Sequence, residues 1–532
     1  MTSKRLWARG ALFPMSMAAT AATLTIVASP ASAFQLDSSD DWSIRWDNTF
    51  KAGTMYRLKD ADPKLSSSAT AVNLNAGDQN FKNKGIVSER LDVLSEFDAV
   101  YKRDFGVRVS AAGWYDDKYR GRTDATDYTG QNPNNEFPGE TRDLSGHKAE
   151  VLDAFGFGGV RFENGMKLTG RLGQHALLWG ESLFFGDNAI SRAQGPQDID
   201  KLLSSPGAQV REVIRPVPQV SGQLQLSPEV SIGAYYQLRW EEDRLPPPGS
   251  YFSSFNNLWG SNMIQNLGPG GILTHGKDDK AKDSGQFGVQ LRWRLDETDL
   301  GFYVAKYNDK GGQIYANLDD GAYHWKFPNG IKTVGMSASH SFGIFNLAAE
   351  LSFRDDMPLR SDQMFYGAGK AAPDFATGRT AHFNFSGLAT LGPNFIAEES
   401  TFIGEFAWNR VLSKNDPDHV LDPAVTRDAS AVRLSYAPMY RQVMPGLDLG
   451  VPVGLGYNLS GFSSVTPWNA KDTGDLTLGL EGTYETVWNV ALKYTKYLGD
   501  TVPVFDYSTN ANGTGNSFAD RDFVSLTVRR TF

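Results

Sequence analysis

The sequence predicts an all-β fold, a transmembrane antiparallel β-barrel of about sixteen strands, with eighteen as the alternative count. Three observations predict it. The chain ends in an alternating strand whose last residue is aromatic, similar alternating segments recur along the whole length, and short turns alternate with long loops. A water-soluble β-sandwich would also alternate, but its connections would be short at both ends of the sheets.

The last segment, residues 522–532, shows the clearest alternation. Its apolar face carries Val524, Leu526, Val528 and Phe532, and its polar face carries Ser525, Thr527, Arg529 and Thr531. A membrane barrel must pair its last strand with its first to leave no open edge in lipid, so a strand that reaches the final residue favours a barrel. Arg530 falls on the lipid face, where a place near the interface lets its side chain reach water at little cost.

The beginning of the chain predicts export. Lys4, Arg5 and Arg9 precede an apolar stretch at 18–28, which is followed by the small-residue site 31–33. These are the three parts of a secretory signal peptide with cleavage after residue 33, although a buried N-terminal helix is the alternative. The predicted organisation is therefore a signal peptide, 1–33, and a single outer-membrane β-barrel domain, 34–532.

Composition excludes several classes of protein. The chain has no Cys, so disulfide and thiolate chemistry are excluded, and no run of roughly 18 apolar residues follows the signal, which excludes a helical membrane protein. The formal net charge is −9, and removal of a signal with three positive charges and no acids takes it to −12. Binding of nucleic acid is not expected at that charge.

The body of the chain divides into alternating segments of the length that a tilted strand needs to cross a bilayer, roughly 9–11 residues. They lie at 42–57, 87–102, 105–117, 148–162, 165–173, 217–226, 232–241, 287–295, 299–307, 331–341, 345–354, 401–411, 430–438, 447–459, 476–485 and 488–496. The long loops lie at 58–84, 118–145, 243–283, 308–330, 357–399, 412–428, 463–474 and 500–518. Because each long loop joins two strands at the external end, these loops imply about sixteen strands.

One segment, 186–215, does not alternate, and its central part can form a short helical turn. It lacks the Gly, Ser and Thr content of the other long loops, which favours folding into the lumen as a constriction, with an ordinary external loop as the alternative. The residues expected to line the lumen or the constriction are Asn188, Arg192, Asp198, Asp200, Arg211, Arg215, Arg292, Arg294, Glu350, Glu405, Arg433 and Glu481. Both signs of charge are present, so we expect cross-strand ion pairs rather than a ring of one sign.

Four motifs around this segment carry a resemblance. They are GQHALLWGE at 173–181, NAIS at 188–191, QGPQD at 194–198 and RPVPQ at 215–219. In these motifs, and in its signal, length and terminal Phe532, the chain resembles the uncharacterised Gram-negative family known as domain of unknown function thirteen-oh-two. The resemblance implies an outer-membrane barrel from a catabolic setting for poorly soluble carbon sources, and it supplies no catalytic residues. Phe532 is also similar to the assembly signal that the outer-membrane barrel insertion machinery recognises.

The long loop 243–283 is unusually apolar. Its largest apolar side chains include Tyr251, Phe252, Phe255, Trp259 and Met263. Apolar surface on a loop that faces water usually marks a binding site, so these residues predict capture of an apolar compound. The alternative is that they form the small core of the loops themselves.

Catalysis has little support in the sequence. No H-E-x-x-H or G-x-S-x-G motif occurs, and the glycine-rich stretches lack the context of a phosphate loop. A Ser/His pair on the lipid face at His340 or His382 is the one enzyme alternative, an outer-membrane hydrolase. We predict no cofactor and no metal site, because the acidic pair Asp278 and Asp279 is too small to indicate calcium.

The sequence therefore predicts a porin-like channel of the Gram-negative outer membrane, not an enzyme, for uptake of small organic, apolar or amphipathic compounds. A closed structural or assembly barrel that docks a periplasmic or export partner is the alternative. The expected partners are outer-membrane lipid and lipopolysaccharide, the insertion machinery, a small organic solute and a periplasmic protein.

Overall fold

The structure is a computed structural model. It describes residues 34–39, 41–66, 73–125, 135–205, 213–267, 271–362, 364–366, 375–417, 419–506 and 511–532. These residues belong to one compact unit, Ala33–Phe532. The predicted signal peptide, 1–33, lies outside the described residues.

Eighteen antiparallel strands close into a barrel, each paired with the next and the last paired with the first. The strands are β1 (Trp42–Arg57), β2 (Gly85–Tyr101), β3 (Phe105–Asp116), β4 (His147–Arg161), β5 (Lys167–His175), β6 (Val217–Gln225), β7 (Val230–Gln237), β8 (Gln286–Leu295), β9 (Thr298–Tyr307), β10 (Ile331–Phe342), β11 (Phe345–Pro358), β12 (Thr377–Leu391), β13 (Glu399–Lys414), β14 (Asp428–Met444), β15 (Leu447–Gly450 and Val453–Ser460), β16 (Gly474–Tyr484), β17 (Trp488–Leu498) and β18 (Phe523–Thr531). The sheet contains 20 strand segments. Two of them together form the interrupted strand β15, and Phe34–Ser38 is a short additional strand that pairs with β1, so the closed barrel has eighteen strands.

The final strand closes the barrel as predicted. Residues from Arg57 to Thr49 of β1 pair with Phe523 to Thr531 of β18, and the backbone of Phe532 exchanges two hydrogen bonds with Asn48. Closure leaves no open edge of the sheet in contact with lipid.

Arg530 takes the lipid-facing side of β18, because it lies opposite Phe50 and Trp488 in the register. Its guanidinium carbon lies 4.8 Å from the ring centroid of Trp488 and 4.3 Å from that of Phe532. Stacking between aromatic faces offsets part of the cost of a cation on this surface.

The outer surface of the barrel is apolar. Large apolar side chains on it remain exposed, such as Leu91 at 56% and Leu172 at 61%. A closed sheet with such a surface is stable in a bilayer, so the protein is a β-barrel of the outer membrane. Among the described residues, no helix is long and apolar enough to cross a membrane.

The count of sixteen strands is wrong, and the alternative of eighteen is correct. The predicted loop 357–399 contains β12, whose outward face carries the small residues Ala381, Gly387 and Ala389 beside its two phenylalanines. Small residues weaken the apolar alternation that identifies a strand. The connection 176–216 is a ninth long loop, which the count of eight loops from the sequence did not include.

Short elements lie in the long connections between the strands. They include the helices Pro63–Ser66, Ala76–Asn80, Gly139–Thr141 and Ile199–Ser204, the 3₁₀ turns Asp117–Arg120 and Ile190–Ala193, the π turn Arg142–Gly146, and the short strands Gln265–Asn266, Ile272–His275, Gln313–Asn317, Ala322–Lys326, Met364–Tyr366, Phe505–Asp506 and Ala511–Asn512. Five of these strands form a small sheet between loops. Beneath them, Arg521 and Arg57 share the fully buried carboxylate of Asp78, and this network ties the loops to both closing strands.

Candidate functional site: a segment bound to interior side chains

The candidate site is the connection between β5 and β6, residues 176–216, which we call the lumen segment. It leaves β5 at His175, a residue that is paired directly with Val217 at the start of β6. Its two ends are therefore neighbours in the sheet, and the whole connection is a loop from one point of the wall. Its residues bind side chains that point into the barrel from several other strands.

The first anchor is Glu405 of β13. Its Oε2 accepts hydrogen bonds from the backbone nitrogens of Leu183, at 2.9 Å, and of Phe184 and Phe185, and its Oε1 accepts one from the Ser182 hydroxyl at 2.7 Å. The side chain is almost fully buried. One carboxylate thus satisfies three consecutive amides that no regular secondary structure would satisfy.

The second anchor is Glu350 of β11. It accepts hydrogen bonds from the backbone nitrogen of Glu181, at 2.9 Å, and from that of Ile190. Gly180 has a φ of +95°, and a Cβ there would lie 2.3 Å from Glu350 Oε2. Glycine is therefore required at this approach, both for its backbone conformation and for the space it leaves.

The third anchor is Asn188, which is fully buried against β12 and β13. Its amide nitrogen donates to Asn384 Oδ1 at 2.9 Å and to the carbonyl oxygen of Trp408 at 3.1 Å. Its oxygen lies 2.9 Å from Nδ1 of His382 and accepts from the Asn409 amide at 3.2 Å. A side chain whose donors and acceptor are all used fixes the turn in one orientation.

Arg192 and Lys310 join the segment to the outer loops. The Arg192 guanidinium lies 2.8 Å from Asp243 and 3.3 Å from Asp187. Lys310 donates to the carbonyl oxygen of Arg192 at 3.2 Å. Burial, together with the nearby Arg192 cation, lowers the pKa of Lys310 to about 7.

The second half of the segment meets the opposite side of the wall, on β1 to β4. Asp198 accepts the Lys201 amide as the cap of helix Ile199–Ser204 and lies 2.7 Å from Arg244, which also lies 2.6 Å from Glu150. Burial, with Asp198 as a like charge, raises the pKa of Asp200 to about 7. A helix cap and ion pairs hold this part of the segment in place. The strands, in contrast, are marked by alternating apolar and polar residues.

The remaining predicted residues of the segment are Arg215 and Arg211. Arg215 lies 2.8 Å from Glu241, next to the end of β7, and donates to the carbonyl oxygen of Glu242. Arg211 lies outside the described residues.

The other predicted residues lie on the wall and face inward. Arg433 lies 2.9 Å from Asp475, and Glu481 lies 2.7 Å from Lys493. Arg294 lies 3.0 Å from Asp299, whereas Arg292 is 3.9 Å from Glu181, which is too far for a hydrogen bond. These are the cross-strand pairs expected of an interior that holds both signs of charge.

Several large apolar side chains of the lumen segment are exposed. They are Leu178 at 55%, Leu183 at 49%, Phe184 at 39% and Leu202 at 54%. The backbone amides of Leu183 and Phe184 bind Glu405, and their side chains remain exposed. Exposed apolar groups on a segment bound to interior side chains create an apolar surface within reach of the bore.

The model of one protein family matches residues 15–532, almost the whole chain. The family is described as proteins of unknown function, DUF1302. The chain belongs to this family. No curated protein matches the sequence.

Solved structures similar to this DUF1302 member are outer-membrane proteins of low sequence identity. OccAB2 of Acinetobacter baumannii is 10% identical, with a TM-score of 0.44 over 93% of this chain and 98% of that chain. OccK9 (OpdG) of Pseudomonas aeruginosa is 12% identical, with a TM-score of 0.41 over 94% and 100%. The outer-membrane channel DcaP of Acinetobacter baumannii is 10% identical, with a TM-score of 0.39 over 93% and 99%.

The predicted apolar capture loop of this DUF1302 member needs a correction. Tyr251, Phe252 and Met263 are buried, Trp259 is partly buried, and only Phe255 is exposed, at 38%. Tyr251 and Phe252 pack with the loop residues around Phe81 and with the start of β18. Tyr251, Phe252 and Met263 therefore belong to a small core within the loops, which was the alternative prediction. Packing against other loops removes their side chains from water.

The two candidate histidines for hydrolysis do not pair with serine. His382 faces inward, bonded to Thr380 and Asn188, and His340 faces lipid with Nδ1 2.8 Å from the hydroxyl of Thr298. A Ser/His pair does occur at Ser221 and His175, 2.8 Å apart, but the other ring nitrogen of His175 contacts the carbonyl oxygen of Gly173. The orienting carboxylate of a catalytic triad is not at that nitrogen.

Sequence reasoning missed several residues that hold or line the site. They are Ser182, Leu183, Phe184, Arg244, Asp243 and Lys310. The predicted segment began at residue 186, whereas Leu178, Leu183 and Phe184, three of the four exposed apolar residues, come before it. A usable signal existed, because the run from Leu177 to Phe185 is apolar except at 180–182 and does not alternate, which does not indicate a barrel strand.

Proposed function

We propose that the protein is an outer-membrane channel through which small organic, apolar or amphipathic compounds pass, with the lumen segment as its constriction. The observation that carries the proposal is the attachment of 181–190 to Glu350 and Glu405, which leaves Leu183 and Phe184 exposed beside the bore. Larger barrels enclose cavities or channels that inward loops narrow. Uptake for catabolism is the setting that the resemblance implies.

The anchors support a constriction rather than a mobile loop. Glu405 and Glu350 lie on β13 and β11, whereas Asp198 contacts Glu150 of β4 through Arg244. The segment is thus attached to two separate parts of the wall. A segment held at both sides narrows the bore by a fixed amount, which suits selection of solutes by size and polarity.

The test is solute flux into liposomes of phosphatidylcholine that carry the purified protein. We expect small aromatic alcohols to enter faster than sugars of the same mass, because Leu183 and Phe184 contact their apolar bodies. Replacement of both residues by Ser should remove that preference and keep flux of the sugar. Equal flux for both solutes in the wild type would reject the proposed selectivity.

A second candidate function, docking of a periplasmic partner, is favoured by the turn between β12 and β13. Its Phe395 is 98% exposed, and the neighbouring Ile396 is 41% exposed. Exposed aromatic residues at the short-turn end suit a protein contact. For a barrel that does not conduct, two results together would support this function. The wild type would capture one periplasmic protein, and Phe395→Ser would lose that capture.

A further inference from the structure

Three inward-facing cations on β4 and β5 have no carboxylate partner among the described residues. They are Arg161, Lys167 and Arg171. Their inward direction follows from the register, because the alternating neighbours Leu168 and Leu172 are exposed on the lipid face. Arg171 instead stacks on Phe155, with its guanidinium carbon 5.6 Å from the ring centroid.

The interior carboxylates on the described strands differ, because each has a partner. Asp47 lies 2.9 Å from Arg45, and Glu96 lies 2.7 Å from Arg108. The interior carboxylates that bind no cation, such as Glu405, accept hydrogen bonds from backbone amides instead. Arg161, Lys167 and Arg171 are therefore positive charges of the wall that no strand carboxylate neutralises, although the chain as a whole is acidic.

The arrangement of these cations has a cost. Lys167 lies directly opposite Arg161 in the sheet. Like charges directly opposite each other destabilise a pair of strands. Arg161 and Arg171 are also exposed, so they contribute little packing that would offset this cost. Packing and stability thus give no reason for the charges of Arg161 and Lys167, whereas Arg171 has its contact with Phe155.

Their positions follow the path of a solute. Arg161 and Lys167 flank the short turn at 162–166, at the periplasmic mouth. Arg171 lies four residues before the end of β5, where the lumen segment begins. Together they lead from the constriction to the mouth.

We propose that the solute is an organic anion with an apolar body. The apolar body contacts Leu183 and Phe184, while the acid group moves from Arg171 to Lys167 and Arg161. Exposed guanidinium and ammonium groups bind carboxylates and other oxyanions by charge-assisted hydrogen bonds. The inference rests on the proposed channel function and adds the charge of the solute to it.

The first measurement is the reversal potential of the purified protein in a planar phosphatidylcholine bilayer under a KCl gradient. We expect preference for chloride in the wild type, and at least about a threefold fall in the permeability ratio in Arg161→Gln/Lys167→Gln/Arg171→Gln, because the local excess of counter-ions disappears. The matched control is Lys306→Gln/Lys332→Gln/Arg379→Gln, which removes three cations from the outer face. The control should keep the wild-type ratio.

The second measurement compares entry of 1-naphthoate and of neutral 1-naphthalenemethanol into liposomes. The triple variant should slow the anion and leave the alcohol unchanged. A wild type that conducts but prefers potassium, or a triple variant with an unchanged ratio, would overturn the anion inference and leave the channel intact. A folded wild type without any conductance would overturn the channel and the anion inference together.

Discussion

Loss of the Glu405 carboxylate should release the tip of the lumen segment. In Glu405→Ala, the amides of Leu183, Phe184 and Phe185 lose their common acceptor, and the Ser182 hydroxyl loses its own. Hydrogen bonds to a charged group contribute about 1.5–3 kcal/mol each, and the recovered hydration of the carboxylate offsets part of their sum. We expect a net loss of about 3 kcal/mol in the stability of the local structure.

That loss corresponds to an increase of roughly 100-fold in the population of the opened segment. Amide hydrogen exchange, followed by mass spectrometry of peptides that cover 181–186, reports that population. Exchange of these amides should accelerate by about the same factor, while that of the barrel strands stays at the wild-type rate.

The matched control is Glu399→Ala, which removes a carboxylate of the same wall that pairs with Arg441 at the short-turn end. Its peptides over 181–186 should exchange as in the wild type. If Glu405→Ala exchanged no faster than this control, the carboxylate would not hold the segment and the assignment of Glu405 as an anchor would be refuted.

Three further perturbations test other parts of the account. Gly180→Ala places a methyl group 2.3 Å from a Glu350 oxygen, so faster exchange over 178–182 is expected, and unchanged exchange would contradict the close approach. Burial raises the pKa of Asp200 from 3.8 to about 7, so its ionisation opposes folding and contributes a fall in wild-type stability as pH rises across that window; Asp200→Asn should reduce this slope in thermal unfolding, and an equal slope in both proteins would contradict it. Arg521→Gln leaves the buried Asp78 with one cation fewer, a loss of about 3–5 kcal/mol, which should make the outer loops sensitive to protease while the barrel stays resistant.

The strands could be predicted because their signal is local. Alternation over ten residues and a terminal aromatic define β18, and the same pattern placed Arg530 on the lipid face, where it stacks between two rings. The strand β12 escaped notice because Ala381, Gly387 and Ala389 take outward positions that other strands fill with larger side chains. Pairing with β11 and β13, rather than the apolar content of β12 itself, fixes the place of β12 in the sheet.

The site could be predicted only in part because its contacts join distant parts of the chain. Glu405 binds amides 220 to 222 residues before it, and Asn188 meets Trp408 from a similar distance. No local pattern reports such pairs. The burial of Tyr251 likewise depends on Phe81 and Tyr119 from two other loops, so an apolar loop sequence could not distinguish a capture surface from a small core.

The central claim, that the lumen segment narrows a conducting bore, has a direct test in single-channel conductance. Because His175 and Val217 are paired neighbours, residues 177–215 can be replaced by a four-residue Gly/Ser turn without a gap in the sheet. We expect steady conductance for the wild type and a several-fold larger conductance for the replacement, both in planar phosphatidylcholine bilayers at the same salt concentration. Equal conductance in the two proteins would contradict a constriction at the lumen segment, and no conductance in either would contradict the channel.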